Sequence, residues 1–102
     1  MKLITKEIEG QFAKVGEQDI PDPLVILRLF DPYGSYTGYF TSYNKAARVL
    51  FGYVTGLQEN ELGYSSLDEI EALRFLGSPR IERDINFTPC KLSECHKTYG
   101  FD

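Results

Sequence analysis

Leu24 to Phe30 reads Leu-Val-Ile-Leu-Arg-Leu-Phe. In a strand, successive side chains alternate between faces, so Leu24, Ile26 and Phe30 point one way and Val25, Leu27 and Leu29 the other. Only Arg28 interrupts two apolar faces. A strand of this kind must be covered on both sides, which a bare hairpin or a one-sided sheet cannot do. The next residues, Asp31-Pro32-Tyr33-Gly34, supply a turn. Aspartate caps the first position, proline presets the second, and glycine can take a left-handed conformation that forms a bulge. The chain then returns as a second strand, Tyr36 to Ser42.

The flanking segments follow the same logic. Thr5 caps a helix over residues 6–15, with Ile4, Ile8, Phe12 and Val15 on one stripe and Gly16 at its end. Glu17 to Pro23 is a polar linker with two prolines. Arg48 to Thr55 is a third strand and Glu61 to Tyr64 a short fourth. Ser66 and Glu69 form a capping box for a helix over residues 67–76 with Leu67, Ile70, Leu73 and Leu76 inward, stopped by Gly77 and Pro79. Arg80 to Phe87 is the last strand. Hairpin-length connections between strands predict an α+β fold, a mainly antiparallel sheet of four to five strands with two helices packed on it. A simple meander places Tyr36–Ser42 in the middle of that sheet, whereas its Gly, Thr and Ser content suits an edge. Residues 1–88 make a single α+β domain, and 89–102 are expected to be a loose, polar C-terminal tail.

The chain has 102 residues, the length of one domain. Its balance of 11 basic against 15 acidic residues gives a net charge of −4, which disfavours nonspecific binding to nucleic acid. Lys6, Glu7 and Glu9 interrupt the N-terminal apolar residues too early for a signal peptide, and no stretch approaches a membrane span. Cys90 and Cys95 would close a very short loop if oxidised. These features read as a cytoplasmic protein with free thiols and no membrane partner.

Candidate chemistry is sparse. Cys90, Cys95 and His96 fall short of the four ligands of a structural zinc site, so no metal and no cofactor is expected. There is no Gly-x-Ser-x-Gly elbow, and Gly52 and Gly56 lack the Lys-Ser/Thr of a phosphate loop. No catalytic residue is assigned and the chain is not read as an enzyme. A distant alternative is acid/base work by Glu82 and Asp84, which share a strand face. Arg83 falls among Ile81, Ile85 and Phe87, where a guanidinium needs a partner. Glu61 or Asp68 could supply one in a buried pair, and an anionic ligand is the other reading.

Six of the seven tyrosines lie between residues 33 and 64, with Tyr39 and Tyr43 sharing a face with Thr37 and Thr41. Residues 58–71 carry Glu59, Glu61, Asp68, Glu69 and Glu71 and no base. The candidate binding residues are therefore Tyr36, Tyr39, Tyr43, Glu59, Glu61 and Arg83, contacting a protein partner. The main alternative is a nucleic-acid-associated or anti-defence protein that mimics DNA by its acidity.

A resemblance accompanies this reading. Leu3-Ile4-Thr5-Lys6-Glu7, Phe30-Asp31-Pro32, Leu50-Phe51-Gly52, Glu61-Leu62-Gly63-Tyr64, Ser66-Leu67-Asp68-Glu69, Ile81-Glu82-Arg83-Asp84 and Leu92-Ser93-Glu94 resemble the bacterial family called domain of unknown function 2958. The similarity spans most of the chain. One departure is the second strand, which family members make Trp-rich and which here reads Tyr36-Thr37-Gly38-Tyr39-Phe40-Thr41-Ser42. The resemblance implies a setting on plasmids, conjugative elements or prophages, and so a small accessory protein of a mobile genetic element. It supplies no catalytic residue.

Overall fold

The computed structural model describes residues 1–101. Helix α1 runs Lys6–Val15, and the Thr5 hydroxyl accepts from the Ile8 amide at 3.2 Å as the cap pattern requires. The strands that follow are β1 Leu24–Val25, β2 Leu27–Phe30, β3 Thr37–Asn44, β4 Val49–Thr55 and β5 Glu61–Ser66. Then come helix α2 Leu67–Ala72, the short strands β6 Arg74–Phe75, β7 Ser78–Pro79, β8 Glu82–Arg83 and β9 Cys90–Lys91, and helix α3 Leu92–Tyr99. The main sheet has five strands in the order β5-β4-β3-β2-β8, every neighbouring pair antiparallel. The expected α+β class is thus observed, with three helices among the described residues. None of them is long and apolar enough to cross a membrane.

Both faces of the strand at 24–30 are covered, but not in simple alternation. The strand breaks at Ile26, whose amide donates to the Phe40 carbonyl at 2.9 Å. The break resets the phase. Ile26, Leu27 and Leu29 enter one core with Leu3, Ile4, Phe12, Phe40, Leu50, Leu67, Ile70 and Ile81 under α1 and α2. Val25, expected beside Leu27 and Leu29, instead enters a second core with Tyr39, Cys95 and Phe101 under α3. The Asp31–Gly34 turn forms, with the Gly34 amide bonded to the Asp31 carbonyl at 3.2 Å and the Tyr33 amide to the Asp31 carboxylate at 2.9 Å. Gly34 does not take the left-handed conformation.

β3 is the central strand, not an edge. Its glycine reflects crowding: a Cβ on Gly38 would meet the Phe40 ring at 2.4 Å. A bulge falls at Thr41, between the pairs Phe40↔Gly52 and Ser42↔Phe51. It reverses the alternation, so Tyr39 and Tyr43 do not share a face. Tyr39 goes under α3, and Tyr43 packs at 5.8 Å from Phe12 on the α1 side. Gln18, in the linker, braces this bulge: its side-chain amide donates to the Thr41 and Leu24 carbonyls at 2.7 and 2.8 Å.

α2 ends at Ala72, four residues earlier than the expected 67–76. Leu73 turns extended, and Leu76 and Gly77, with φ of 51° and 84°, make the tight turn of a β6–β7 hairpin. Leu73 and Leu76 are exposed rather than inward, while Leu67 and Ile70 are buried. The Ser66 hydroxyl accepts from the Glu69 amide at 3.2 Å. Ser66→Ala is accordingly expected to cost about 1 kcal/mol with the fold retained. Urea unfolding checks it, and an unchanged midpoint contradicts it.

The expected strand 80–87 pairs only over Glu82–Arg83, because Asp84 to Phe87 turns: the Phe87 amide bonds the Asp84 carbonyl at 3.2 Å. The expected loose tail is ordered. β9 pairs with β1, and the N-terminus of α3 is tied to the linker by Asp22, which accepts from the Ser93 amide at 2.9 Å and its hydroxyl at 2.7 Å. Those two bonds hold the Asp22 carboxyl below its usual range. Cys95 is fully buried and Phe101 stacks on Tyr39 at 4.3 Å. Apolar side chains thus outweigh the polar composition of the segment. Asp102, its last residue, lies outside the described residues.

Candidate functional site

α3 covers only half of its sheet face. It lies over Arg28 and Tyr39, and the Phe101 that follows it reaches Tyr53. The part over Phe51 and β5 stays open. There the register sets Phe51 opposite Tyr64 and Tyr53 opposite Leu62, on one face. Tyr64 tilts against Phe51 at 4.8 Å and is still 79% exposed, and Leu62 is 55% exposed. A tyrosine and a leucine so open to water, side by side on a regular strand, form a patch that generic packing leaves unexplained.

Around the edge of β5, on the sheet's other face, is a hollow of about 460 Å³. Tyr36, Leu57, Glu59, Glu61, Gly63 and Tyr64 are among its lining residues, and no Lys or Arg is. Three candidates from the sequence, Tyr36, Glu59 and Glu61, therefore meet in one place. Glu59 and Glu61 have no ion-pair partner among the described residues. Asp68 and Glu71 differ: Arg48 bridges both. The acidic run is thus partly neutralised within the fold, and what remains negative is concentrated at the hollow.

The Tyr36 hydroxyl is buried without a hydrogen bond of normal geometry. Burial pushes it from 10.0 up to about 12, with the nearby Ser65 hydroxyl pulling partly the other way. The folded chain then keeps this proton where the unfolded chain has lost it. The associated stability is intact below pH 10 and declines as pH rises from 10 toward about 12. Tyr36→Phe is expected to be neutral or stabilising at pH 7 and to shallow that alkaline decline, read by urea unfolding at neutral and alkaline pH. A decline as steep as in the parent chain contradicts it.

The other candidates lie elsewhere. Tyr39 is buried under α3, and Tyr43 packs on Phe12. Arg83 sits on β8, at the opposite edge of the sheet from Glu61 on β5, so that pair cannot form. Asp68 is taken by Arg48. Arg83 does keep the face of Leu29 and Ile81, but it is half-exposed, donates to the Lys2 carbonyl and makes no salt bridge among the described residues. Ile85 and Phe87 part from it at the turn.

The arginine that needed a partner is Arg28. It bonds Asp84 at 3.0 Å and lies 4.1 Å from the centre of the Tyr99 ring, with Tyr39 and Phe30 at 5.6 and 5.7 Å. Asp84, one half of the Glu82 and Asp84 pair, is thereby engaged. Arg28 was visible as the one charge on the 24–30 strand. Leu62 and Tyr64 were visible only as apolar residues of a short strand; nothing local announced that their face would stay open.

The two cysteines face each other with sulfurs 2.9 Å apart as free thiols. Burial, reinforced by Cys90, pushes the Cys95 thiol well above its usual range, so it is protonated and poorly nucleophilic. His96 is exposed and stands edge-on to Phe101. No group of three His, Cys, Asp or Glu side chains among the described residues is placed to hold a metal ion.

No curated protein and no solved structure matches the chain. A family model does, and it runs from Leu3 through β5 and most of α3: with residues 3–98 matching protein of unknown function (DUF2958), the chain belongs to that family.

Proposed function

We propose that this protein is a small accessory factor of a mobile genetic element, working in the cytoplasm by binding another protein through the open half of its sheet. The observation that carries this reading is the exposure of Tyr64 and Leu62 beside Phe51. Exposed aromatic anchors on a rigid scaffold are what protein interfaces use. The family resemblance supports the mobile-element setting. DNA mimicry is the weaker reading, because Arg48 neutralises Asp68 and Glu71 and leaves a local rather than an extended acidic surface.

The test is site-specific photo-crosslinking in the native host, with a benzophenone amino acid replacing Tyr64 or, as a control, the exposed Lys14 of α1. A discrete protein adduct from position 64, absent from position 14 and lost on Leu62→Glu, is the expected result. Adducts to nucleic acid, or equal adducts from both positions, overturn the proposal.

A further inference from the structure

β5 ends the sheet, and among the described residues no strand pairs with its outer side. The Leu67 amide donates to the Arg48 carbonyl at 2.9 Å, so these two residues form a hydrogen-bonded pair. The register then runs without a bulge from Val49↔Ser66 to Val54↔Glu61. Antiparallel pairs alternate between bonded and non-bonded. Gly63 and Ser65 therefore turn their backbone groups inward to β4, while Leu62 and Tyr64 turn their N–H and C=O outward. Natural edges are usually blunted by lysine, proline, a bulge or a covering segment. Glu61-Leu62-Gly63-Tyr64-Ser65-Ser66 has no lysine, proline or bulge. It offers an unguarded template for one more strand.

The two sides of that edge differ. Beside Leu62 and Tyr64 the surface is apolar. Beside Glu61 and Gly63 it is the acidic hollow, and a Cβ added to Gly63 would meet nothing within 4 Å. An incoming strand alternates its own side chains in step. Residues placed opposite Leu62 and Tyr64 would meet apolar surface, and the residues between them would meet Glu59 and Glu61.

We propose that β5 takes an extended segment of a partner protein as a sixth strand, with apolar and basic residues alternating along that segment. This rests on the protein-binding reading above and names its mode. A second copy of this chain is disfavoured by charge. Two β5 edges side by side would gather both pairs of unpaired carboxylates, Glu59 and Glu61, at one seam with no cation lining either hollow. A basic segment relieves the same charge.

The probe is a short capped peptide alternating lysine and valine, titrated into the isotope-labelled full chain and followed by amide resonances. Saturable shifts at Leu62, Tyr64 and Ser66 are expected. Glu59→Gln with Glu61→Gln should weaken binding by about threefold to tenfold. Tyr64→Pro removes an outward N–H that β4 does not use, so it should keep the melt and weaken binding by at least about tenfold. Tyr64→Thr keeps that N–H and should lose only what the ring contributes, a smaller loss than that of Tyr64→Pro.

Several results overturn the proposal. One is no saturable binding up to roughly 1 mM. Another is equal binding by a peptide with alternate amides methylated. Equal losses in Tyr64→Pro and Tyr64→Thr, with shifts centred on Phe51 and Tyr53, would mean docking on the face. That outcome overturns strand addition while leaving the protein-binding reading intact. Concentration-dependent dimerisation of the free chain that Tyr64→Pro abolishes would assign the edge to a second copy and also overturn it.

Discussion

A chain ending at Thr88 is expected to lose its cooperative melt or to be destabilised by at least ~5 kcal/mol. The segment removed looks dispensable by composition. In the fold it is one of the two layers on the sheet. Its loss uncovers Val25 and Tyr39, at 0% and 2% exposure, and removes the Phe101 ring that stacks on Tyr39 and lies 5.1 Å from Tyr53. It also removes Tyr99, which lies over Arg28, and leaves the Arg28–Asp84 pair open to water. Truncating a buried Phe alone costs about 3–5 kcal/mol, a large share of the roughly 5–15 kcal/mol that holds a domain together. Phe101→Ala should therefore lower stability by about 3 kcal/mol, and at about 4–8 °C of melting temperature per kcal/mol the shift is easy to see. Calorimetry of the parent, the truncation and Phe101→Ala checks this. Melting temperatures within a few degrees of each other would show that α3 is not part of the core.

Gly52 gives the second large effect. It sits on β4, opposite Phe40 on β3 and Gly63 on β5. A Cβ at Gly52 would lie 2.1 Å from the Tyr39 carbonyl oxygen and 2.6 Å from the Phe40 Cα. Both are backbone atoms of the central strand next to the bulge, and they cannot move without parting β3 from β4. Gly52→Ala is expected to cost over ~4 kcal/mol, in the range reserved for overpacking and strain. Gly63→Ala, its register partner, has open space and should change stability by no more than about 0.5 kcal/mol. Denaturant unfolding of the two variants side by side tests the packing. Equal effects would contradict the close approach of the strands at Gly52.

Local chemistry was legible wherever one short segment carried the whole instruction. Thr5, Asp31-Pro32 and Ser66 each specify a cap or a turn through bonds a few residues long, and all three are found. The doubly apolar strand correctly demanded cover on both sides. What escaped was decided at longer range. The bulge at Thr41 carries no glycine to mark it and depends on Gln18, 23 residues away. The Leu76–Gly77 turn puts a leucine at positive φ, where its own preference gives no hint. In the last segment, Lys91, Ser93, Glu94, Lys97 and Thr98 masked the stripe of Leu92, Cys95 and Tyr99 at helical spacing. That stripe, with Phe101 after it, was the available signal.

The candidate site was legible in part for the same reason. Tyr36, Glu59 and Glu61 converge because β3, β4 and β5 form a meander, one of the two arrangements the sequence left open, which brings the start of one strand beside the start of the next but one. Tyr39 and Tyr43 were separated by the unmarked bulge. Arg83 was correctly phased within β8, but strand order, which period-two alternation does not specify, put it at the wrong edge to reach Glu61.

Amide hydrogen exchange of the chain, free and in complex with the protein captured through position 64, tests the central claim most directly. Free, the outward amides of Leu62 and Tyr64 should exchange fast while those of Gly63 and Ser65, bonded to β4, are protected. In the complex, Leu62 and Tyr64 should gain protection with α1 unchanged. Protection gained on α1 or α3 while Leu62 and Tyr64 stay fast would contradict a binding surface built on β5.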